Sequence, residues 1–197
     1  MNNHTGFLII FSGPSGVGKG TIGKELFKYD DLHLAYSVSM TTREKREGEV
    51  DGINYFFVTK EEFQKAIAND ELLEYAQFVG NYYGTPKAYC DKQLAMGKNV
   101  LLEIEVQGAT QVLQKVPDAL SIFLVPPSLE VLEARIRGRG TEPEEVLRQR
   151  MQKAREELPL QDNYDYVIVN DTVERATNEI VNIIRQEIKK RSTPSRG

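Results

Sequence analysis

The chain has 197 residues, 40% of them hydrophobic and 27% charged, with 15 Gly and 8 Pro, a balance that excludes collagen-like, disordered and low-complexity classes. A formal net charge of −4 from 25 basic and 29 acidic residues argues against broad coating of nucleic acid or membrane, although it leaves local basic clusters open. The single cysteine, Cys90, has no internal partner for a disulfide and is expected to be a packing residue in a reducing, cytoplasmic setting.

The start, MNNHTG, lacks the basic and then apolar pattern of a signal peptide. Residues 7–12 (FLIIFS) then form a short apolar run, as expected of a strand buried on both faces of a parallel sheet. A helix is predicted over 19–27, with Ile22, Leu26 and Phe27 on one face. A second buried run, 99–104 (NVLLEI), follows a helical stretch over 88–96 that Gly97 is placed to stop. Residues 120–125 (LSIFLV) and 166–169 (YVIV) complete four predicted buried strands separated by helices. That alternation predicts an α/β fold with a central parallel sheet flanked by helices. The C-terminal helix is predicted over 173–189, with Ala176, Ile180, Ile183, Ile184 and Ile188 on one side and a frayed tail after it.

Two segments interrupt this rhythm. Residues 37–86 read as a small α+β insert, with short strands (YSVSM, YFFV), a helix over 60–68 and a further strand (LLEYAQFV). Residues 137–156 read as a lid: Thr141 stands three residues before Glu144 as a helix cap, with Pro143 in the first turn. The chain therefore divides into core (1–36, 87–136 and 157–197), insert (37–86) and lid (137–156).

The strongest local signal is Gly13-Pro14-Ser15-Gly16-Val17-Gly18-Lys19-Gly20-Thr21, between a buried strand and a helix. Glycines let successive backbone N–H groups point inward, the helix N-terminus adds a positive dipole end, and Lys19 can reach the β- and γ-phosphates of a nucleotide. Position 20, where many such loops carry the hydroxyl that binds Mg²⁺, is Gly, and the hydroxyl follows at Thr21. An ion held mainly by phosphates and water is then expected. In the insert, Arg43 and Arg46 lie three apart and share the segment with Tyr55 and Tyr83, so that two guanidinium forks and two phenols make a plausible phosphate cradle.

The ordered set formed by the phosphate loop, Ser37-Val38-Ser39-Met40-Thr41-Thr42-Arg43, Tyr55-Phe56-Phe57, Glu71 to Phe78, Gly80 to Thr85, Gly138 to Glu142 and Val169-Asn170-Asp171 closely resembles the guanylate kinase family. The resemblance covers nearly the whole chain. It implies a P-loop nucleotide kinase fold and transfer of the γ-phosphate of ATP to GMP, and also to dGMP, with Mg²⁺. It assigns Ser39, Arg43, Arg46, Tyr55, Glu74, Tyr83, Thr85 and Glu103 to GMP, with Glu74 accepting from guanine N1 and the 2-amino group while Ser39 and Thr85 donate toward O6. Glu105 would approach the hydrated Mg²⁺. Lys19, Arg43, Arg135, Arg139 and Arg150 would neutralise the transferring phosphoryl group, Arg139 or Asn170 would border the adenine ring, and Arg137 and Arg148 would face solvent. The acceptor is already a phosphate, so no general base is needed. The expected partners are ATP and GMP, without nucleic acid or membrane, in a monomer or homodimer. The alternative from another class is a non-catalytic module of the same family that binds protein ligands in the GMP cleft.

Overall fold

The computed structural model describes residues 5–138, 140 and 142–193. Its central sheet contains β1 (Leu8–Ser12), β2 (Leu34–Tyr36), β7 (Asn99–Glu103), β8 (Leu120–Val125) and β9 (Tyr166–Val169), in the order β2-β7-β1-β8-β9, with every pairing parallel. β1 lies in the middle and is buried along its length, which is why its sequence shows a continuous apolar run rather than an alternation. Its side chains still divide between two cores. Ile9 and Phe11 join Leu101 and Ile122 on the face covered by α1 (Lys19–Leu26), α5 (Leu129–Gly138), α6 (Glu144–Glu157) and α7 (Val173–Ser192). Leu8 and Ile10 join Val100, Leu102 and Phe123 on the face covered by α3 (Lys87–Ala95) and α4 (Val106–Lys115).

A second sheet, ordered β4-β3-β6-β5, contains β3 (Met40–Thr41), β4 (Phe56–Phe57), β5 (Leu72–Phe78) and β6 (Asn81–Pro86). Helix α2 (Lys60–Ala68) buries Phe63 and Ala66 with Leu72 of this sheet. It starts at a capping box in which Thr59 Oγ1 accepts from the Glu62 backbone and the Glu62 carboxylate accepts from the Thr59 backbone. This small unit has its own core and corresponds to the insert expected over 37–86. It docks on the central unit through α4, whose Gln111 side chain accepts from Tyr75 N at 3.1 Å and donates to Tyr75 O at 3.0 Å. An amide thus continues the hydrogen-bonding pattern of edge strand β5. Lys115 adds a bond to Leu72 O at 2.8 Å, and Asp70 pairs with both Lys115 and Lys87.

The structure corrects several sequence expectations. The run YSVSM is not one strand: Tyr36 ends β2, paired with β7, and Met40 opens β3 in the other sheet, so residues 37–39 are the crossover. Strand β6 is a full partner of β5 although its Tyr- and Gly-rich sequence has no alternation. β9 is an edge strand in which only Ile168 is buried, because no further strand covers its outer side. The lid segment is largely α6, and Leu147, Met151 and Ala154 place its inner face in the main core; a stripe at i, i+4 and i+7 is anchored, not free. Pro143 is the residue flanking α6 rather than part of its first turn, and the expected cap Thr141 lies outside the described residues. The last helix runs on to Ser192, where Lys189, Lys190 and Arg191 suit its C-terminal dipole end. Cys90 is buried, with its thiol pushed up to about 11 by burial, which fits a packing role. Among the described residues no helix is long and apolar enough to cross a membrane.

Because Phe11 is fully buried at the centre of the sheet, Phe11→Ala is expected to cost about 3–5 kcal/mol of unfolding free energy in urea titration. A loss under about 1 kcal/mol would contradict this packing account.

Candidate active site

The loop between β1 and α1 lies at the carboxyl ends of the central strands, where parallel sheets open their crevices. Gly13 has φ 149°, and a Cβ there would stand 2.4 Å from Leu124 O. Gly18, the residue before α1, has φ 102°, and a Cβ there would meet the Asn170 side chain at 2.6 Å. Both positions require glycine, so the curl of the loop is fixed by chain geometry and by packing against β8 and the end of β9. Asn170 secures it further, donating from Nδ2 to Val17 O at 2.8 Å and from its backbone N to Val125 O at 2.8 Å.

Two cavities meet at this loop. One, of about 470 Å³, is lined by Gly13, Ser15, Gly16, Gly18, Lys19, Gly20 and Thr21 together with Lys24, Glu103, Ile104, Glu105, Lys153 and Glu157. The other, of about 400 Å³, shares Gly16, Gly18 and Thr21 and continues to Arg135, Asn170 and Asp171. Arg135 donates from Nη2 to Asn170 O at 2.8 Å, and its buried Nη1 has no protein partner among the described residues. Pro14 belongs to the loop, and its carbonyl accepts from Lys19 Nζ at 3.2 Å.

Lys19 Nζ also donates to Gly13 O at 2.6 Å, so the ammonium is folded onto the loop that it closes. Burial lowers its pKa, while Glu103, Glu105 and Glu157 act in the opposite sense. The two strand-end carboxylates divide in a way the sequence did not predict. Glu103, expected at the guanine, packs against α1 beside Lys19: its Oε1 and Oε2 face Gly20 and Gly23, and burial raises its pKa against the pull of Lys19 and Lys24. Glu105, expected at the metal, pairs with Lys153 at 3.3 Å and acts electrostatically on Glu74. The strand ends at Glu103, so the two side chains are not held to one face by a common pleat.

In the smaller unit, Glu74 is only 8% exposed and accepts from Thr85 Oγ1 at 2.7 Å. Burial raises its pKa, with the Thr85 bond opposing. The Thr85 proton is thus committed to Glu74 in this state rather than free for another acceptor. Ser39 is half-buried on the crossover between β2 and β3. Arg43 lies over the Tyr55 and Phe57 rings at 5.4 and 5.8 Å, with the Tyr55 and Tyr83 rings 6.1 Å apart. Its guanidinium forks onto Glu49 at 2.7 and 3.1 Å, and Glu49 also accepts from Arg46 N. Arg46 itself is exposed. On α6, Arg150 grips Glu142 at 2.8 Å and donates to Ser15 Oγ at 2.8 Å, joining that helix to the phosphate loop. Arg139 lies outside the described residues, while Arg137 and Arg148 pair with surface glutamates, as expected of solvent-facing groups.

Sequence reasoning passed over Lys153 and Glu157, and it quoted Glu49 and Glu142 only as parts of the family motifs, without a partner or role. Lys153 and Glu157 are i, i+4 neighbours on α6, a spacing that in sequence is the mark of any solvated helical ion pair.

The comparisons with known proteins agree with this geometry. The family model described as "Guanylate kinase" matches residues 6–187. Curated guanylate kinases from Mycoplasma mycoides, Streptococcus thermophilus and Bacillus anthracis are 60%, 58% and 56% identical, covering 92%, 92% and 93% of this chain. The chain spans 61%, 87% and 90% of those proteins respectively, and the first relatives it matches are the longer ones. The crystal structure of guanylate kinase from Anaplasma phagocytophilum has a TM-score of 0.70 at 34% identity, covering 95% of this chain and 88% of that one.

The Thr85–Glu74 bond generates a pH prediction. An acid whose folded pKa is raised loses stability as pH rises through that value, and removing a donor raises it further. Thr85→Val should therefore cost about 1–3 kcal/mol at neutral pH, and less below about pH 4 where the carboxyl is protonated, in denaturant titrations at both pH values. An equal cost at both would contradict the assignment. With the phosphate loop, the insert carrying Glu74 and Thr85, and the match over residues 6–187 in agreement, the chain belongs to the guanylate kinase family.

Proposed function

We propose that this chain is an ATP:GMP phosphotransferase, moving the γ-phosphate of ATP to GMP to give ADP and GDP, with dGMP as a further acceptor. The observation that carries the reading is the buried Glu74–Thr85 pair in the smaller unit, linked by α4 to the core that bears the phosphate loop. Guanine offers N1–H and a 2-amino group to a carboxylate, whereas adenine N1 is an acceptor and would face it unpaired. A pocket built on such pairing discriminates by about 10⁴.

Arg43, Arg46, Tyr55 and Tyr83 are the acceptor-phosphate cradle. Because Glu49 pairs with Arg43, the acceptor phosphate replaces one anion by another at a guanidinium already oriented by two rings. The base-reading roles follow the geometry. Glu74 accepts from the guanine edge, Ser39 and a reoriented Thr85 hydroxyl serve O6, and Glu105, not Glu103, is the second carboxylate on that side. The donor triphosphate lies along residues 13–21, with Lys19 leaving the Gly13 carbonyl for the β- and γ-phosphates. Its base takes the cavity of Arg135 and Asn170, where Arg135 Nη1 and Asn170 Oδ1 are buried without a hydrogen-bond partner among the described residues.

Among the described residues no group of three or more His, Cys, Asp or Glu is placed to hold a metal ion. Mg²⁺ would accordingly be carried by the nucleotide and its own waters, as so strongly hydrated an ion allows. Glu103, beside Lys19 and against Gly20, fits as the carboxylate that would accept from those waters. When bound, the ion supplies charge neutralisation on the transferring phosphoryl group. The chain's own residues do the rest. Lys19 and Arg150 neutralise charge from the donor side and Arg43 from the acceptor side, with Arg135 completing the set, and the insert closes over the substrates to exclude water.

Lys19→Ala is expected to lower kcat at least about 100-fold in a coupled assay of ADP formation. Glu74→Gln is expected to reduce the preference for GMP over AMP by about 100-fold while leaving the KM for ATP nearly unchanged. Near wild-type turnover in the first variant, or unaltered preference in the second, would overturn the reading. Absence of transfer to any acceptor by the wild-type chain would favour a non-catalytic binding module.

A further inference from the structure

Two buried glycines lie within helices, where alanine is the better residue by propensity: Gly23 in α1 and Gly108 in α4. Neither has a positive φ, so backbone conformation does not explain them. What each faces does. A Cβ on Gly23 would stand 2.8 Å from Glu103 Oε2 and 3.8 Å from Glu103 Cδ, with no other non-neighbouring atom within 4 Å. A Cβ on Gly108 would stand 2.8 Å from Glu74 Oε2, 3.2 Å from its Cδ and 3.5 Å from its Cγ. In the phosphate loop the missing Cβ makes room for backbone at Gly13, against Leu124 O, and for the Ile136 and Asn170 side chains at Gly16 and Gly18. At these two helix positions the space is taken by a carboxylate of the site, a different one in each case.

We propose that Gly23 and Gly108 are positioning residues, each providing a slot on a helix surface in which one functional carboxylate is seated: Glu103 on the donor side and Glu74 on the acceptor side. The inference rests on the proposed roles of those two carboxylates. A methyl group in either slot needs only the carboxylate to move, since the end of a side chain yields more readily than a backbone. For Glu103 the displacement is out of the slot beside Lys19. For Glu74 it is harder, because the side chain is buried and tied to Thr85, so the strain falls on the base-reading geometry itself. Neither glycine touches the substrates in this account, and each acts through its glutamate.

The melting temperature is measured beside binding, because the helix propensity of alanine offsets the strain of the displaced carboxylate, and titrations are run where each variant is fully folded. Loss of binding then cannot be ascribed to loss of fold. Calorimetric titration of the intact chain with GMP, with ATP plus Mg²⁺ and with ATP plus EDTA gives the readout. Gly108→Ala is expected to weaken GMP binding about tenfold or more, with ATP affinity changing less than about twofold. Gly23→Ala is expected to leave GMP affinity within about twofold and to reduce the Mg²⁺-dependent part of ATP binding about tenfold. In the shortened backgrounds Glu74→Asp and Glu103→Asp, the corresponding alanine should add little further loss, because the carboxylate has been withdrawn from the methyl group. The proposal is overturned if either alanine leaves its own ligand's affinity unchanged, weakens both ligands equally, or costs as much in the Asp background as in the parent. Wild-type protein that binds ATP but not GMP would refute the acceptor assignment itself. Wild-type binding of both, with an unaffected Gly108→Ala, refutes the slot alone.

Discussion

Two polyanions brought within a few ångströms repel strongly; at 4 Å each like-charged pair costs about 4 kcal/mol at an effective dielectric of 20. Much of the site's architecture answers that constraint. The cations needed to offset the repulsion would repel one another in an empty site, so each is held by an internal oxygen acceptor: Arg43 by Glu49, Arg150 by Glu142, Lys153 by Glu105, and Lys19 by the carbonyls of Gly13 and Pro14. These acceptors keep the cations ordered at positions where the proposed substrates would need them. A phosphate arriving at Arg43 then exchanges with a carboxylate and need not order a free guanidinium, which spares the side-chain entropy of a long residue. A net charge of −4 is therefore no obstacle to a site rich in cations, since three of these four have an acidic partner beside them.

The division of labour between the two sheets follows from how each is built. The parallel sheet is buried on both faces and offers only its carboxyl ends, so its chemistry is confined to the loop after β1 and the end of β7. The four-stranded sheet has a small core and a polar face, on which Glu74, Thr85, Tyr83 and Arg43 can be carried. Helix α4 is the joint between them. Its N-terminus follows Glu105, Gly108 meets Glu74, Gln111 bonds the edge of β5 and Lys115 reaches Leu72 and Asp70. A single helix thereby relates the proposed base-reading carboxylate to the strand that carries Glu103.

The phosphate loop was fully legible in the sequence because its parts are contiguous: a buried strand, glycines at fixed offsets and a lysine at a helix start depend on local chain geometry. The helix over 60–68 was legible to the residue because it too is one contiguous stretch, and the structure adds a capping box at its start. What depended on placement in space was not. Glu103 and Glu105 are two residues apart, but the strand ends at Glu103 and their side chains diverge, so that Glu103 lies against Gly20 and Gly23 of α1 while Glu105 pairs with Lys153. Lys153 and Glu157 carry the signature of an ordinary surface pair, and only the docking of α6 brings them to the phosphate loop. Strand β6 is disguised by its tyrosines and glycine, and the exposure of β9 depends on the sheet ending there. Gly23 and Gly108 give no sequence signal beyond being unfavourable in helices, since their meaning lies in the glutamates opposite.

The central claim is that a buried carboxylate selects the acceptor base while paired cations are released to its phosphate and to ATP. The most direct measurement is kcat/KM for ADP formation from ATP with GMP, dGMP, AMP, CMP and UMP as acceptors of the wild-type chain. The account predicts transfer to GMP and dGMP, with GMP exceeding AMP by about 10⁴. Comparable values for GMP and AMP would contradict it, because a carboxylate held at Glu74 by Thr85 and seated against Gly108 leaves adenine N1 without a donor.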